Sequence, residues 1–593
     1  MDHIVFLGLN LAAWITIATI LALFLSLIFT KLSEDIAFLG AMSILGLTGI
    51  LTEPEVLSGF SASSVVEVGV LFMVIAGLIH TGVIRWIMQH FLGTPRSYPA
   101  AVVRLMGCVA AMSSILSNTT VVALFVQVVK NWAKKLGISP SKLLIPLSYA
   151  AGMGGICTII GTPPNLLISG MYAQSTGQSI GFFAPTIPGL VCLAVGILST
   201  LAMRRLLPER KSPEDAFSDT SEYTVELLVP SDHPHIGETL EEIGLLNVTG
   251  GRLIELVRFD HVVFSPVEPD QPLMGGDRLV YAGEIDSILA LRKTHGLVIA
   301  DHPVFHVNEL DKHRKMRTAF VQKGCPLLRE PASMSTFERD HKVTLVALAR
   351  QGKRLKQSPR DCKLRIGDLL LLECAPGSAK QEIKGLQFSD ASGILPQTGM
   401  KTVVSMLILI GMILLSSFKV MSLLQSAVVA AIAMLVFRCC TPGQAMKSVD
   451  WNLLMIFAGS VVIGNAIQKT GIATAMADGM MHLCGNKPLM VMITMCLTAT
   501  FVTEFISNTA AGAIFCPIVY QSAVTMGCNP LPFMISLMIA VSSSFATPIG
   551  SPTHLLVYGP GGYRFTDFMK IGIPMNIIIL AANILIVNLV YPL

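Results

Sequence analysis

Ser-Asn-Thr stands twice inside long apolar sequence, at Ser117-Asn118-Thr119 and again at Ser507-Asn508-Thr509. Each copy is followed by a Gly-[Thr/Ser]-Pro turn: Gly161-Thr162-Pro163-Pro164-Asn165 after the first, Gly550-Ser551-Pro552-Thr553-His554 after the second. The Ser-to-Gly interval is 44 residues in one half and 43 in the other. A hydroxyl also precedes each serine by four residues, Ser113 in the first half and Thr503 in the second, one helical turn back on the same face. Small polar and helix-breaking residues are costly at membrane depth unless they line a cavity enclosed by protein. Matched interruptions in two halves of a chain therefore point to a transporter's binding site.

Composition supports that setting. The chain is 52% hydrophobic and only 13% charged, whereas soluble domains carry about 25% charged residues. The charge is also segregated: of 80 charged residues (42 + 38), 52 fall between Glu209 and Asp390. That stretch reads as a soluble insert between two membrane blocks. The division expected is 1–207 for the first membrane repeat, 208–300 and 301–395 for two insert modules, and 396–593 for the second membrane repeat. A net charge of +4, with no basic stripe interleaved with aromatics, argues against nucleic acid. The start Met1-Asp2-His3 has no basic n-region, and the apolar run from Ile4 to Thr30 reads as a retained transmembrane helix. Cys108, Cys157, Cys192, Cys496 and Cys516 lie in apolar sequence and read as small hydrophobes, while Cys362 and Cys374 lie in the insert. No Ser/His/Asp or metal-ligand constellation argues for an enzyme. The glycines of 152–161 follow no strand, so no NAD site is expected.

Apolar helices are expected at about 4–30, 36–52, 65–92, 143–157 and 182–203, then at 402–417, 420–438, 450–468, 533–547 and 567–591. The stretches 100–132 and 488–526, which carry the tripeptides, read as re-entrant hairpins with the polar residues at their tips. The helices at 143–157 and 533–547 are expected to break at the Gly-Pro turns, leaving carbonyls unpaired. Arg204, Arg205, Arg210 and Lys211 follow the helix that leads into the insert, and Lys130, Lys134, Lys135 and Lys142 follow the first hairpin. The positive-inside rule then places the insert in the cytoplasm. The cluster Arg85, Arg96 and Arg104 must share that face. Within the insert, 223–292 reads strand, loop, helix at Thr239–Ile243, then strands; 316–378 repeats the scheme, and Gly276-Asp277 and Gly367-Asp368 each precede an apolar strand. The fold class expected is an α-helical polytopic membrane protein of two inverted repeats, each with a re-entrant hairpin and a broken helix, carrying an inserted α+β cytoplasmic tandem domain.

Hydroxyls, an amide oxygen and free carbonyls are the donor set a Na⁺ ion accepts. The helices opening after Ser117-Asn118 and Ser507-Asn508 offer unpaired N–H groups and positive dipole ends, which suit a small dianion. On these residues the chain resembles the divalent anion:sodium symporters, the solute carrier 13-like permeases of the ion transporter superfamily; the resemblance covers both membrane blocks. The insert resembles a tandem pair of C-terminal regulatory modules of potassium-transport regulators. The resemblance implies one sodium site at Ser113, Ser117, Asn118 and the backbone near Gly161, and a second at Thr503, the backbone of Ile506, Asn508 and the backbone near Gly550. It implies anion contacts from Asn118, Thr119, Thr162, Ser507, Asn508, Thr509 and Pro552. It further implies sodium-coupled import, sulfate ahead of dicarboxylates through the insert, a homodimer in a bacterial-type inner or plasma membrane, and an elevator-like motion. The sequence departs from its own symmetry at His554, which replaces Asn165 and either titrates near the site or caps the broken helix. Glu504 is open between proton carrier, cation ligand and interfacial residue. Those two groups motivate the rival reading, a proton-coupled or uncoupled oxyanion exporter. A regulated potassium channel lacks its Thr-Val-Gly-Tyr-Gly filter here. The insert is open between a ligand-binding role, such as a nucleotide, and a structural or dimerising one.

Overall fold

Capping residues set where the apolar runs become helices. Asn10 accepts the Ala13 N–H at 2.8 Å and opens Leu11–Phe29. Thr52 and Glu55 form a capping box before Glu53–Ser61, Ser422 and Gln425 another before Leu423–Val436, and Asp450 accepts the Leu453 N–H to open Trp451–Lys469. Each satisfies a backbone donor the first turn leaves unpaired. The structure, a computed structural model, describes residues 10–30, 32–210, 399–484 and 487–593, and within the insert 224–248, 251–259, 262–264, 267, 270–283, 295–299, 315–322, 325, 328, 343–350, 353–355, 363–374, 383 and 385–388. The expected helix start at Ile4, Lys211 and Cys362 lie outside these residues.

Among the described residues six helices are long and apolar enough to cross a membrane: Leu11–Phe29, Glu53–His80, Thr186–Arg205, Met400–Ser417, Trp451–Lys469 and Phe565–Val590. The single helix expected over 65–92 is two, Ser63–His80 and Val83–Phe91, and a further helix, Glu53–Ser61, precedes them. Ala62 leaves helical geometry, and Gly82 turns the chain at φ +81°, where a side chain would be strained. Helices Pro163–Thr176, Pro442–Lys447, Ile472–Cys484 and Pro552–Tyr558 were not expected. Three of these start at proline, whose missing N–H costs nothing at that position.

Two matched devices follow. Tyr98–Ser113 and Asn118–Leu136 are joined by residues 114–117, and Pro488–Val502 and Asn508–Thr525 by 503–507, so both tripeptides sit at a helix-to-helix turn. Ser141–Gly155 unwinds over 156–162 before Pro163–Thr176, and Pro530–Val541 unwinds over 542–551 before Pro552–Tyr558. The prolines thus restart a helix after the break rather than interrupting the first segment. Close packing needs glycine here: a Cβ on Gly154 would stand 2.4 Å from Ala110 of the facing helix.

The chain forms two units, one of Met1–Glu209, Gly393–Val557 and Arg564–Leu593, the other of Arg210–Ser392 and Tyr558–Tyr563. The second holds two antiparallel sheets. Strands β1 to β6 are Thr224–Leu228, Asn247–Val248, Gly251–Arg258, Val262–Phe264, Arg278–Gly283 and Val298–Ile299. Strands β7 to β11 are Lys315–Val321, Val343–Arg350, Lys353–Arg354, Leu369–Cys374 and Leu386–Phe388. The first sheet runs β6-β1-β5-β3-β2 with β4 also on β3, the second β11-β7-β10-β8-β9, so the two share one path. The repeated Gly-Asp has one job in both. Gly276 and Gly367 turn at φ +85° and +89°. Asp277 then grips Arg258 through two bonds at 2.7 and 2.8 Å, and Asp368 grips Arg350 through two at 2.8 Å. The helix expected at Thr239–Ile243 is instead a run of turns, with the Thr239 N–H bonded to Glu242 at 3.0 Å and Thr239 bridged to Pro272; five residues are too few to nucleate a helix against that bridge.

Candidate functional site

The hairpin turn and the unwound segment meet in each half through the same bonds. Ser113 Oγ lies 2.6 Å from Asn118 Oδ1, and Thr503 Oγ1 lies 2.7 Å from Asn508 Oδ1. The same end of the Asn118 amide stands 3.1 Å from the Gly161 carbonyl and 3.2 Å from that of Ala151. For Asn508 the partners are the Gly550 carbonyl at 3.1 Å, the Val541 carbonyl at 3.2 Å and Ser544 Oγ at 3.2 Å. Val541 is the last residue of the second helix that unwinds, and its carbonyl has no intrahelical donor, whereas Ala151 lies one turn before the end of Ser141–Gly155. Every neighbour of that amide end is an oxygen. Turned one way, the amide offers its nitrogen and donates to the carbonyls; turned the other, its oxygen completes a shell of oxygens around one point. The first shell comprises Ser113, Asn118, Ala151 and Gly161; the second comprises Thr503, Asn508, Val541, Ser544 and Gly550. Neutral oxygens without a competing ammonium or carboxylate are the donor chemistry a monovalent cation needs, so the residues fit Na⁺.

A threonine staples each break to its hairpin. Thr158 Oγ1 donates to the Ser114 carbonyl and accepts the Gly161 N–H at 3.2 Å. Thr547 Oγ1 donates to the Glu504 carbonyl at 2.8 Å and accepts the Gly550 N–H at 3.0 Å. The restarted helices reach back alike: Asn165 Nδ2 donates to the Gly155 and Thr158 carbonyls at 3.4 and 2.9 Å, and His554 Nε2 bonds the Ser544 carbonyl at 2.7 Å. A carbonyl only accepts, so Nε2 carries the proton and Nδ1 is left to accept from Ser148 Oγ at 2.5 Å. Tyr149 donates to the Phe545 carbonyl at 2.8 Å. These last two bonds tie the first half's unwinding helix to the second half's break. Helix Asn508–Thr525 also packs on Pro163–Thr176, where a Cβ on Gly512 would meet Pro164 and Ile168 at ordinary contact.

Glu504 is buried, and its carboxylate accepts the Ala546 N–H at 2.9 Å, the Thr547 N–H at 2.8 Å and Asn576 Nδ2 at 2.7 Å. Asn576 Oδ1 in turn accepts the Phe545 N–H at 3.1 Å. A buried carboxylate with three donors clamps the second break to helix Phe565–Val590.

The other expected residues are placed as follows. Ser117 and Ser507 are the N-caps of the second hairpin helices, and Ser507 Oγ accepts the Ala510 N–H at 3.3 Å. Thr119 is exposed, Thr509 and Thr162 are buried, and Pro552 is the exposed first residue of its helix. The Ile506 N–H bonds the Val502 carbonyl at 3.3 Å, and the carbonyls facing Asn508 come from Val541 and Gly550. Sequence reasoning passed over Ala151, Val541, Ser544, Thr158 and Thr547. The two threonines were findable, since they stand at the 389-residue offset that relates Gly161 to Gly550.

Two helix turns presenting polar tips to two unwound helices, inside a bundle of apolar spans, define a multi-pass membrane transporter. The chain belongs to the anion-transporter family whose model, described as a citrate transporter, covers most of it. The family model described as a citrate transporter matches residues 24–483, and that described as the sodium:sulfate symporter transmembrane region matches 395–593. An uncharacterized transporter of Synechocystis is 30% identical over 97% of each chain. A probable sodium/sulfate cotransporter of Chlamydomonas reinhardtii is 22% identical over 89% of this chain and 82% of its own. A sodium-dependent dicarboxylate transporter of Staphylococcus saprophyticus is 24% identical over 25% of this chain and 29% of its own. The protein is thus an anion transporter rather than an enzyme.

Proposed function

We propose that the protein is a sodium-coupled symporter importing a small divalent anion, sulfate ahead of dicarboxylates. The observation that carries this reading is the pair of all-oxygen shells around Asn118 and Asn508. One Na⁺ would sit among Ser113, Ser117, Asn118 and the carbonyls of Ala151 and Gly161; another among Thr503, Asn508, Ser544 and the carbonyls of Val541 and Gly550, with Ile506 backbone beside it. Filling the shells turns both amide oxygens inward and their nitrogens outward. Those nitrogens, Thr119, Thr162, Ser507, Thr509, the start of the Pro552 helix and the two hairpin-helix N-termini would then face the dianion. Cation binding would thereby prepare the anion site, which is the coupling. Sodium- and sulfate-related names among the relatives support the pairing of substrates.

In this reading the chain is a homodimer in a bacterial-type inner membrane, surrounded by lipid, and moves its transport elements as an elevator. The divisions at 207, 300 and 395 bound two modules on the cytoplasmic side, resembling potassium-transport regulator C-terminal modules and open to a small ligand such as a nucleotide. The rival proton-coupled exporter relies on Glu504 and His554, and both are fully engaged in holding the second break.

The test is uptake of radiolabelled sulfate, and separately succinate, by proteoliposomes under an inward Na⁺ gradient or an equal choline gradient. Uptake only with Na⁺ is expected. Equal uptake in both removes the coupling, and a flux driven by pH alone favours the exporter.

A further inference from the structure

Ends of four apolar helices converge on a basic cleft of about 660 Å³, away from both breaks. It is lined by Tyr98, Lys142, Arg204, Arg205, Lys570 and the segment Leu206–Glu209, with Asp567 at its edge. Its rim is built: Tyr98 Oη donates to the Lys142 carbonyl at 3.1 Å, and Ser141 Oγ donates to the Pro208 carbonyl at 2.7 Å, drawing the segment across the helix start. Both carboxylates are committed. Glu209 takes Lys142 Nζ at 2.6 Å, and Asp567 accepts the Arg564 N–H at 2.8 Å as a helix cap. Arg204, Arg205 and Lys570 have no ion pair among the described residues, so three exposed cations face one cleft.

What lies beside them identifies the anion. Helices Thr186–Ala202 and Phe565–Val590 pack together, and their outer surfaces leave Leu198, Met569, Ile573 and Ile577 exposed. Leu206, on the cleft wall, is 47% exposed. The cations therefore stand at the end of an apolar wall. A free anion would use the charges and leave the wall untouched. A phospholipid uses both, its phosphate among the cations and its acyl chains along the helices.

We propose that this cleft binds the phosphate headgroup of an anionic phospholipid, seating the bilayer against these helix ends of the membrane block. Arginine forks hold two phosphate oxygens while Lys570 contributes a point charge from the neighbouring helix. The site is independent of the transport reading, and its test needs no transport.

The full-length protein is placed in nanodiscs of phosphatidylglycerol or of phosphatidylcholine, and the lipid retained on release is read by native mass spectrometry with the unfolding midpoint alongside. Retention of phosphatidylglycerol and a higher midpoint in it are expected. The preference should fall about fivefold for each cation removed in Arg204→Gln, Arg205→Gln and Lys570→Gln, and stay unchanged in Lys447→Gln elsewhere on the surface. Equal behaviour in the two lipids overturns the proposal on the unmodified protein alone. So does an unchanged preference in Lys570→Gln. Inorganic phosphate added to phosphatidylcholine nanodiscs should give no shift; a shift equal to that of phosphatidylglycerol assigns the cleft to a soluble anion instead.

Discussion

In the first half the asparagine is faced by Gly155, the last residue of the unwinding helix; in the second it is faced by Ser544, within the unwound segment. A Cβ on Gly155 would stand 2.4 Å from Asn118 Oδ1, so that shell is closed by contact. Ser544 instead adds a hydroxyl 3.2 Å from Asn508. At the next turn Ser114 is replaced by Glu504, and after the break Asn165 is replaced by His554. The geometry of the two shells is shared while their support differs. The first is held by backbone and small residues in close packing, the second by a buried carboxylate, Asn576 and an imidazole. Conserving the shell while changing the scaffold is what a functional constraint on oxygens, rather than on residue identity, would produce. The second half unwinds over a longer stretch, 542–551 against 156–162, and restarts in a helix of 7 residues against 14. More loosely wound backbone has more N–H groups to satisfy, and Glu504 takes two of them.

The largest effect should be symmetric. Asn118→Ala and Asn508→Ala each remove a shell oxygen, and a bond to a charged group contributes about 1.5–3 kcal/mol, roughly 10- to 150-fold in cation affinity. Sodium-driven uptake should vanish in both at ordinary Na⁺, with the purified protein still folded by thermal melt. Activity surviving in one would mean that only one shell holds an ion. The next effects should be asymmetric. Gly155→Ala overfills the first shell at a cost of about 1–3 kcal/mol and should raise the half-saturating Na⁺ concentration sharply. Its counterpart Ser544→Ala loses one hydroxyl and should raise it less, by about 0.5–1.5 kcal/mol. Equal shifts in the two would mean that the shells do not differ in how tightly they are packed.

Support residues should act on stability rather than on the ion. Glu504→Gln puts an amide where two backbone donors need acceptors, and should lower the melting temperature by the equivalent of about 1–3 kcal/mol, whereas Ser114→Ala should stay within about 0.5 kcal/mol. His554→Asn should be milder than Glu504→Gln. It copies the first half's residue, keeps a donor for the Ser544 carbonyl and loses the Ser148 bond, about 1 kcal/mol. Its pH profile of uptake should match the parent's; a displaced profile would return His554 to the list of titrating groups.

The tripeptides, Gly-Pro turns and preceding hydroxyls were legible because polar side chains interrupt apolar runs, and an interruption is a residue-level signal. Ala151 and Val541 were not, because they contribute backbone carbonyls, which belong to backbone geometry and which any residue type can supply. Ser544 hid in a run of serines, where no periodicity marks the one that turns inward. The break was read from its prolines, yet the helices end before them, at Gly155 and Val541; proline's preference for a first turn was as good a guide as its power to interrupt. The span 65–92 misled because its apolar run continues through Thr81-Gly82, where the backbone turns without a change in polarity. In the insert the repeated Gly-Asp was visible, while its reason, the Arg258 and Arg350 grips, required two strands brought side by side.

The account rests on each oxygen shell closing around a cation. The most direct measurement is anomalous diffraction from crystals grown with Tl⁺ in place of Na⁺, which reveals the ion without relying on transport. Two peaks are predicted, one among Ser113, Asn118, Ala151 and Gly161, the other among Thr503, Asn508, Val541, Ser544 and Gly550. Tl⁺ bound elsewhere in the membrane block, with both shells empty and the two amides donating to their carbonyls, would contradict it.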